Sequence, residues 1–194
     1  MLHAPKRLLM GIVAAGWIFA ANIGPANAVA FNIDWTGSGG YTLEGMFSYD
    51  DSLIGTGPID ESSLDTFMIE GFFNGGSVGT WDFFADGISA GAGFNFNFDT
   101  TSEMFLVGGV TGSASGQAWN IEPVVGVCTA DFGFGSGSTG QGLCVGGGLA
   151  GLISPSQSTL TASRKQVPEP GTLALFLIGI LGLAIATRRK TAAA

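Results

Sequence analysis

The chain has 194 residues, 33 of them glycine and 15 phenylalanine, and a formal net charge of −8. No lysine or arginine occurs between Leu8 and Ser163, so the body offers nothing to neutralise phosphates and nucleic acid is excluded as a partner. The single histidine, His3, lies at the extreme N-terminus, which removes imidazole relays and most zinc sites from the chemistry open to the body.

Lys6 and Arg7 precede an apolar stretch from Leu8 to Ala21, and a small-residue site follows at Ala26-Asn27-Ala28. That order predicts a secretory signal peptide over 1–28, an N-terminal helix cut after Ala28. His3 leaves with it. Once both terminal segments are set aside, Arg164 and Lys165 stand against the full set of 15 acidic residues, which all lie between Asp34 and Glu169.

Residues 29–153 read as one glycine-rich, acidic β-domain, long enough to bury a core. Phe94, Phe96 and Phe98 alternate with Asn95, Asn97 and Asp99, the two-residue period of a strand with one buried and one wet face. Further strands are expected at 31–36, 41–49, 67–72, 80–84, 104–108, 117–121, 124–134 and 143–149. Turn residues separate them at 37–40, 74–76, 85–87 and 135–138. The stretch from Leu53 to Asp65, with Pro58 and small polar residues, is expected as irregular loop or a short helical turn. The fold class is therefore all-β, an antiparallel sandwich or jelly-roll-like single domain.

Cys128 and Cys144 are the only cysteines. In an exported chain they predict one disulfide, facing each other across a hairpin with its tip near Ser136; the alternative is a reactive thiol or metal pair. Residues 154–166, rich in Ser, Thr and Gln, read as a linker.

The C-terminus carries Val167-Pro168-Glu169-Pro170, an uncharged apolar run from Gly171 to Thr187, then Arg188-Arg189-Lys190 and a short tail over 191–194. As a helix the run spans about 25 Å, at the short edge of what crosses a hydrocarbon core about 30 Å thick. The basic stop favours the cytoplasmic side, which leaves the body outside the membrane. An ordinary single-pass anchor shares these two features. The prolines do not belong to it: they fix an extended stretch ahead of the span that a processing enzyme can grip.

With this block, span and basic stop, residues 167–190 resemble the PEP-CTERM class of exported bacterial proteins. The resemblance implies that an exosortase, a polytopic membrane protease-transpeptidase, removes the tail. It also implies a transient membrane contact, display at the cell surface or release outside the cell, and a link to exopolysaccharide or biofilm material.

For the domain itself the residues leave three readings open, with a non-enzymatic surface or matrix protein favoured. A hydrolase would draw its pair of acids from Asp34, Glu44, Asp50, Asp51, Asp60, Glu61, Asp65, Glu70, Asp82, Asp86, Glu103 and Glu122, but no local motif marks two of them. A carbohydrate-binding module would stack sugars on Trp35, Trp81, Trp119, Tyr41 or Tyr49. Asp50-Asp51, or Asp60-Glu61 with Asp65, could offer calcium several oxygens, yet no EF-hand spacing is present and a solvated acidic loop is the plainer reading. No cofactor is expected: the glycines of 135–142 lack the Lys-Ser/Thr of a phosphate loop and open no helix.

Overall fold

The structure, a computed structural model, describes residues 28–109, 113–122 and 128–165. Expectations for 1–27 and 166–194, the signal helix and the membrane span among them, lie outside the described residues. No helix among the described residues is long and apolar enough to cross a membrane.

Antiparallel strand is the dominant structure of the described chain. β1 (Ala28–Thr36), β2 (Tyr41–Asp50), β4 (Leu64–Phe73) and β5 (Gly76–Asp82) follow one another in the first sheet, and β13 (Thr161–Arg164) returns to its edge beside β1. The second sheet runs β6 (Gly93–Asn95), β9 (Gln117–Ile121), β10 (Phe132–Gly137), β11 (Gly140–Val145), β12 (Gly148–Ile153). A third is made of β3 (Pro58–Asp60), β7 (Asn97–Asp99) and β8 (Met104–Phe105). One short helix, α1 (Phe83–Asp86), follows β5 and replaces the end of the strand expected at 80–84. Within the two large sheets most neighbours are consecutive in the chain. That meander order differs from the interleaved order of a jelly roll, because short turns return β2 beside β1, β5 beside β4, β11 beside β10 and β12 beside β11.

All three sheets face one aromatic core. Trp35 of β1 meets Phe134 of β10 at 5.2 Å between ring centroids, and Phe67 of β4 meets Trp119 of β9 at 5.1 Å. Phe31 and Phe47 both pack edge-on against Phe98 of the third sheet. Each such pair is worth about 0.5–1.5 kcal/mol beyond the area it buries.

Rings of this size fit because glycines clear the space they enter. Phe132 crosses from the second sheet onto Gly71 and Gly79, which are directly paired in the first. A Cβ would lie 2.6 Å from Phe132 Cε2 at Gly71 and 2.5 Å from its Cδ2 at Gly79. Trp35 Cη2 likewise occupies the space of a Cβ on Gly37 and on Gly151.

Two buried glutamines join the layers. Gln117 donates to the carbonyls of Asn97 and Leu106 and accepts from Asn97 N–H and Trp119 Nε1, so its amide is fully used. Gln141 accepts from Trp35 Nε1 and Thr159 N–H, and donates to Ser136 Oγ and Ser158 Oγ. Buried amides left unmet would each cost about 1–3 kcal/mol.

Several expectations are corrected. The run over 94–99 divides between the second and third sheets, and its asparagines are not on a wet face. Asn95 is half-buried and Asn97 buried, both donating to the carbonyls of Ser113 and Gly116. The hairpin tip falls at Ser138–Thr139, since Gly135 lies inside β10, where Ile121 Cδ1 fills the space of a Cβ. Residues 53–65 contain one short 3-10 turn, Glu61–Ser63, but also β3, which pairs with β7. Thr161–Arg164, expected within a linker, is β13, because Leu160 and Ala162 turn inward onto the core and bring the strand beside β1.

Gly71→Ala is expected to destabilise the domain by about 1–3 kcal/mol in denaturant unfolding, through overpacking against the Phe132 ring. The same change in a Phe132→Leu background should cost distinctly less, because the ring tip it strikes is gone. Equal costs in both backgrounds would count against the ring-on-glycine contact.

Candidate functional site

The end of the domain where the chain departs for its C-terminal segment is built by the first and last strands. β1 begins at Ala28, the residue at the expected signal cleavage site, whose companion Ala26 lies outside the described residues. β13 runs antiparallel to it, with Phe31 opposite Arg164, and Lys165 N–H closes the ladder on the carbonyl of Ala30 at 2.8 Å. Both ends of the domain therefore emerge side by side. At the far end of the pair, Thr159 Oγ1 donates to the carbonyl of Thr36 and accepts from its N–H.

Arg164 locks this end. Its guanidinium pairs with Glu103 and lies 5.6 Å above the ring of Phe31, in a domain with no other cation but Lys165. Glu103 meets it from a left-handed backbone conformation, φ 54°, uncommon outside glycine, asparagine and aspartate. Beside the pair, a cleft of about 360 Å³ opens between β8 and β13, lined by Met104, Phe105, Val107, Leu160 and Ala162 among others. The Tyr49 hydroxyl, fully buried nearby, has no hydrogen-bond partner among the described residues. Burial raises its pKa above the ordinary 10.0, with Arg164 acting in the opposite sense and Glu103 adding to the rise.

Several acidic residues are committed to local structure. Asp50, Asp60 and Asp82 accept backbone N–H groups at the starts of short helical turns, and Glu61 accepts from Phe96 N–H. The Ser52 hydroxyl and N–H hold Asp50 below the usual carboxylate range, and Thr101 N–H does so for Asp99. Among the described residues no three acidic, Cys or His side chains are grouped to hold a metal ion. At the acidic stretches weighed for calcium, Asp50 and Asp60 cap their own turns and Asp65 lies in β4.

Asp34, Glu44 and Glu70 are a different case. They stand directly opposite one another across β1, β2 and β4, on the outer face of the first sheet.

None of the rings considered for stacking on sugars is exposed. Trp35, Trp81, Trp119 and Tyr49 are all core residues, at most 3% exposed, and Tyr41 is half-buried against Phe73 at 4.7 Å. Strand periodicity places them inward.

Cys128 and Cys144 form a disulfide with a Cα separation of 5.4 Å. It is not the cross-hairpin link expected, because Cys144 pairs in the ladder with Gly133. Cys128 lies ahead of β10 instead, so the bond pins the incoming segment over the outer face of the second sheet, beside Ala118 and Ile121.

Sequence reasoning missed the Arg164–Glu103 lock, both buried glutamines and Asn120. Asn120 forms a bulge in β9 at φ 55°, its side chain accepting from Ser89 N–H and donating to the carbonyl of Phe132. The signal for Arg164 was available: it is the one arginine in the body.

Residues 166–190 match the family model of the PEP-CTERM protein-sorting motif. No curated protein and no solved structure matches the chain. The C-terminus is a PEP-CTERM segment, which marks an exported, exosortase-targeted protein travelling as a membrane-anchored precursor toward the cell surface. Val167, Pro168, Glu169 and Pro170 and the basic stop Arg188, Arg189 and Lys190 fall inside the matched stretch and outside the described residues.

Mass analysis of unreduced peptides should find Cys128 joined to Cys144; two freely alkylated thiols in the exported protein would contradict the link. Reduction should lower stability by about 3 kcal/mol, the chain-entropy value for a loop of this length. Glu44→Gln should raise the melting temperature at low salt by relieving like charges across the ladder, worth at most about 1 kcal/mol. That gain should shrink at high salt. A loss of stability would reverse the reading of that row.

Proposed function

We propose that the chain is a non-enzymatic cell-surface or extracellular-matrix protein, associated with exopolysaccharide or biofilm material and delivered by exosortase processing. A signal peptide over 1–28 takes it across the inner membrane, and 171–187 holds the precursor there until the tail is removed. The displayed unit is the acidic domain, a β-sandwich closed by a third small sheet.

One observation carries this reading: the matched sorting motif, residues 166–190, begins directly after Lys165, whose N–H is bonded to the carbonyl of Ala30 in β1. Three further features support a non-catalytic body. Asp50, Asp60 and Asp82 cap turns while Asp34, Glu44 and Glu70 stand in one row, most of its aromatic rings fill the core, and its one arginine secures β13. An acidic surface with almost no cations suits a solvated, displayed module.

Intact mass and terminal sequencing of protein recovered from the native host test the proposal. The chain is expected to begin at Val29 and to end between Val167 and Gly171, with or without an attached group. A mature form that retains Arg188-Arg189-Lys190 would return the tail to a simple membrane anchor.

A further inference from the structure

We infer that β13 is a strap that must peel from β1 before the sorting segment can be processed, so that closure of the first sheet withholds the reach that removal of the tail requires. The inference rests on the exosortase reading above and concerns this domain's own last strand.

The matched motif follows β13 directly in the chain. Lys165 N–H is bonded to Ala30 O, the matched segment starts at residue 166, and Pro168 stands three residues beyond Lys165. Fully extended, three residues reach about 10 Å. The obstacle is wider: five strands at about 4.8 Å spacing make a sheet roughly 20 Å across, with a second layer about 10 Å away. An enzyme that encloses the motif therefore meets the wall of the domain while β13 is in place.

Nothing else in the sheet depends on β13. It has four residues and pairs on one side only, whereas β1 is held to β2 along its full nine residues. Its removal leaves β1, β2, β4 and β5 as a continuous sheet. Peeling stops naturally at Leu160, which is buried in the core next to the reciprocal Thr159–Thr36 bonds. Release of 161–165 adds about 17 Å of reach. The Arg164 contacts with Glu103 and Phe31 form the latch that opens first, because they lie at the end nearest the motif.

The register supplies the test. Asn32 and Ser163 are opposite each other on the outer face, so Asn32→Cys combined with Ser163→Cys staples the strap. In the native host the oxidised double variant should keep its tail, with processing slowed roughly tenfold or more relative to the wild type and to Asn32→Cys alone, as expected when a local opening is forbidden. Reductant should restore processing to the rate of the wild type under the same reductant, which also opens Cys128–Cys144 in both chains. A Gly/Ser insert of about eight residues after Lys165, which supplies reach as a flexible coil without unlatching the strand, should also restore processing. Glu103→Gln, remote from the motif in sequence, should speed processing.

A stapled, oxidised chain that loses its tail at the wild-type rate would overturn the strap while leaving the sorting reading intact. A wild-type chain that keeps its tail would overturn the sorting reading and the strap with it.

Discussion

The structure depends on aromatic rings seated against bare backbone. Phe132 on Gly71 and Gly79, and Trp35 between Gly37 and Gly151, bring neighbouring layers closer than side chains on both partners would permit. Where a Cβ would come within 3.0 Å of a ring, alanine is already too large. A glycine-rich composition is usually read as flexibility. Here the same residues, set opposite phenylalanine and tryptophan, give a rigid and densely packed interior.

Close approach of layers in turn creates a polar problem. Three sheets that meet around one core bring strand ends and connecting loops inside, where their N–H and C=O groups have no water. Gln117 and Gln141 meet this need because an amide offers two donors and two acceptor positions at the end of a flexible stem. Asn95, Asn97 and Asn120 do the same for the loop at 113–116 and for the bulge in β9. Buried amides in this protein are the joints between sheets.

Much of this was legible in the sequence. Period-two phenylalanines, short spacing between turn residues and the cysteine pair were enough for an antiparallel all-β domain with one disulfide, and the sorting motif was readable from its own residues. What was not legible depended on partners distant in the chain. Gly135 resembles a turn until Ile121 is found against it, and Asn97 resembles a wet residue until the carbonyls of Ser113 and Gly116 arrive. Residues 154–166 resemble a linker because β13 buries little and is otherwise Ser and Thr. Only the position of Arg164, opposite Phe31 and against Glu103, reveals it as the final strand.

The side-by-side placement of the two chain ends also determines how the domain bears load. A pull on the C-terminal end of β13, antiparallel to β1 and at the edge of the sheet, loads the backbone hydrogen bonds one after another rather than all together. Such a zipper yields at low force, whereas strands pulled along their length from opposite ends resist in shear. The weak point is the edge strand β13, so tension in the tether is absorbed by a few residues of strand while the aromatic core remains closed.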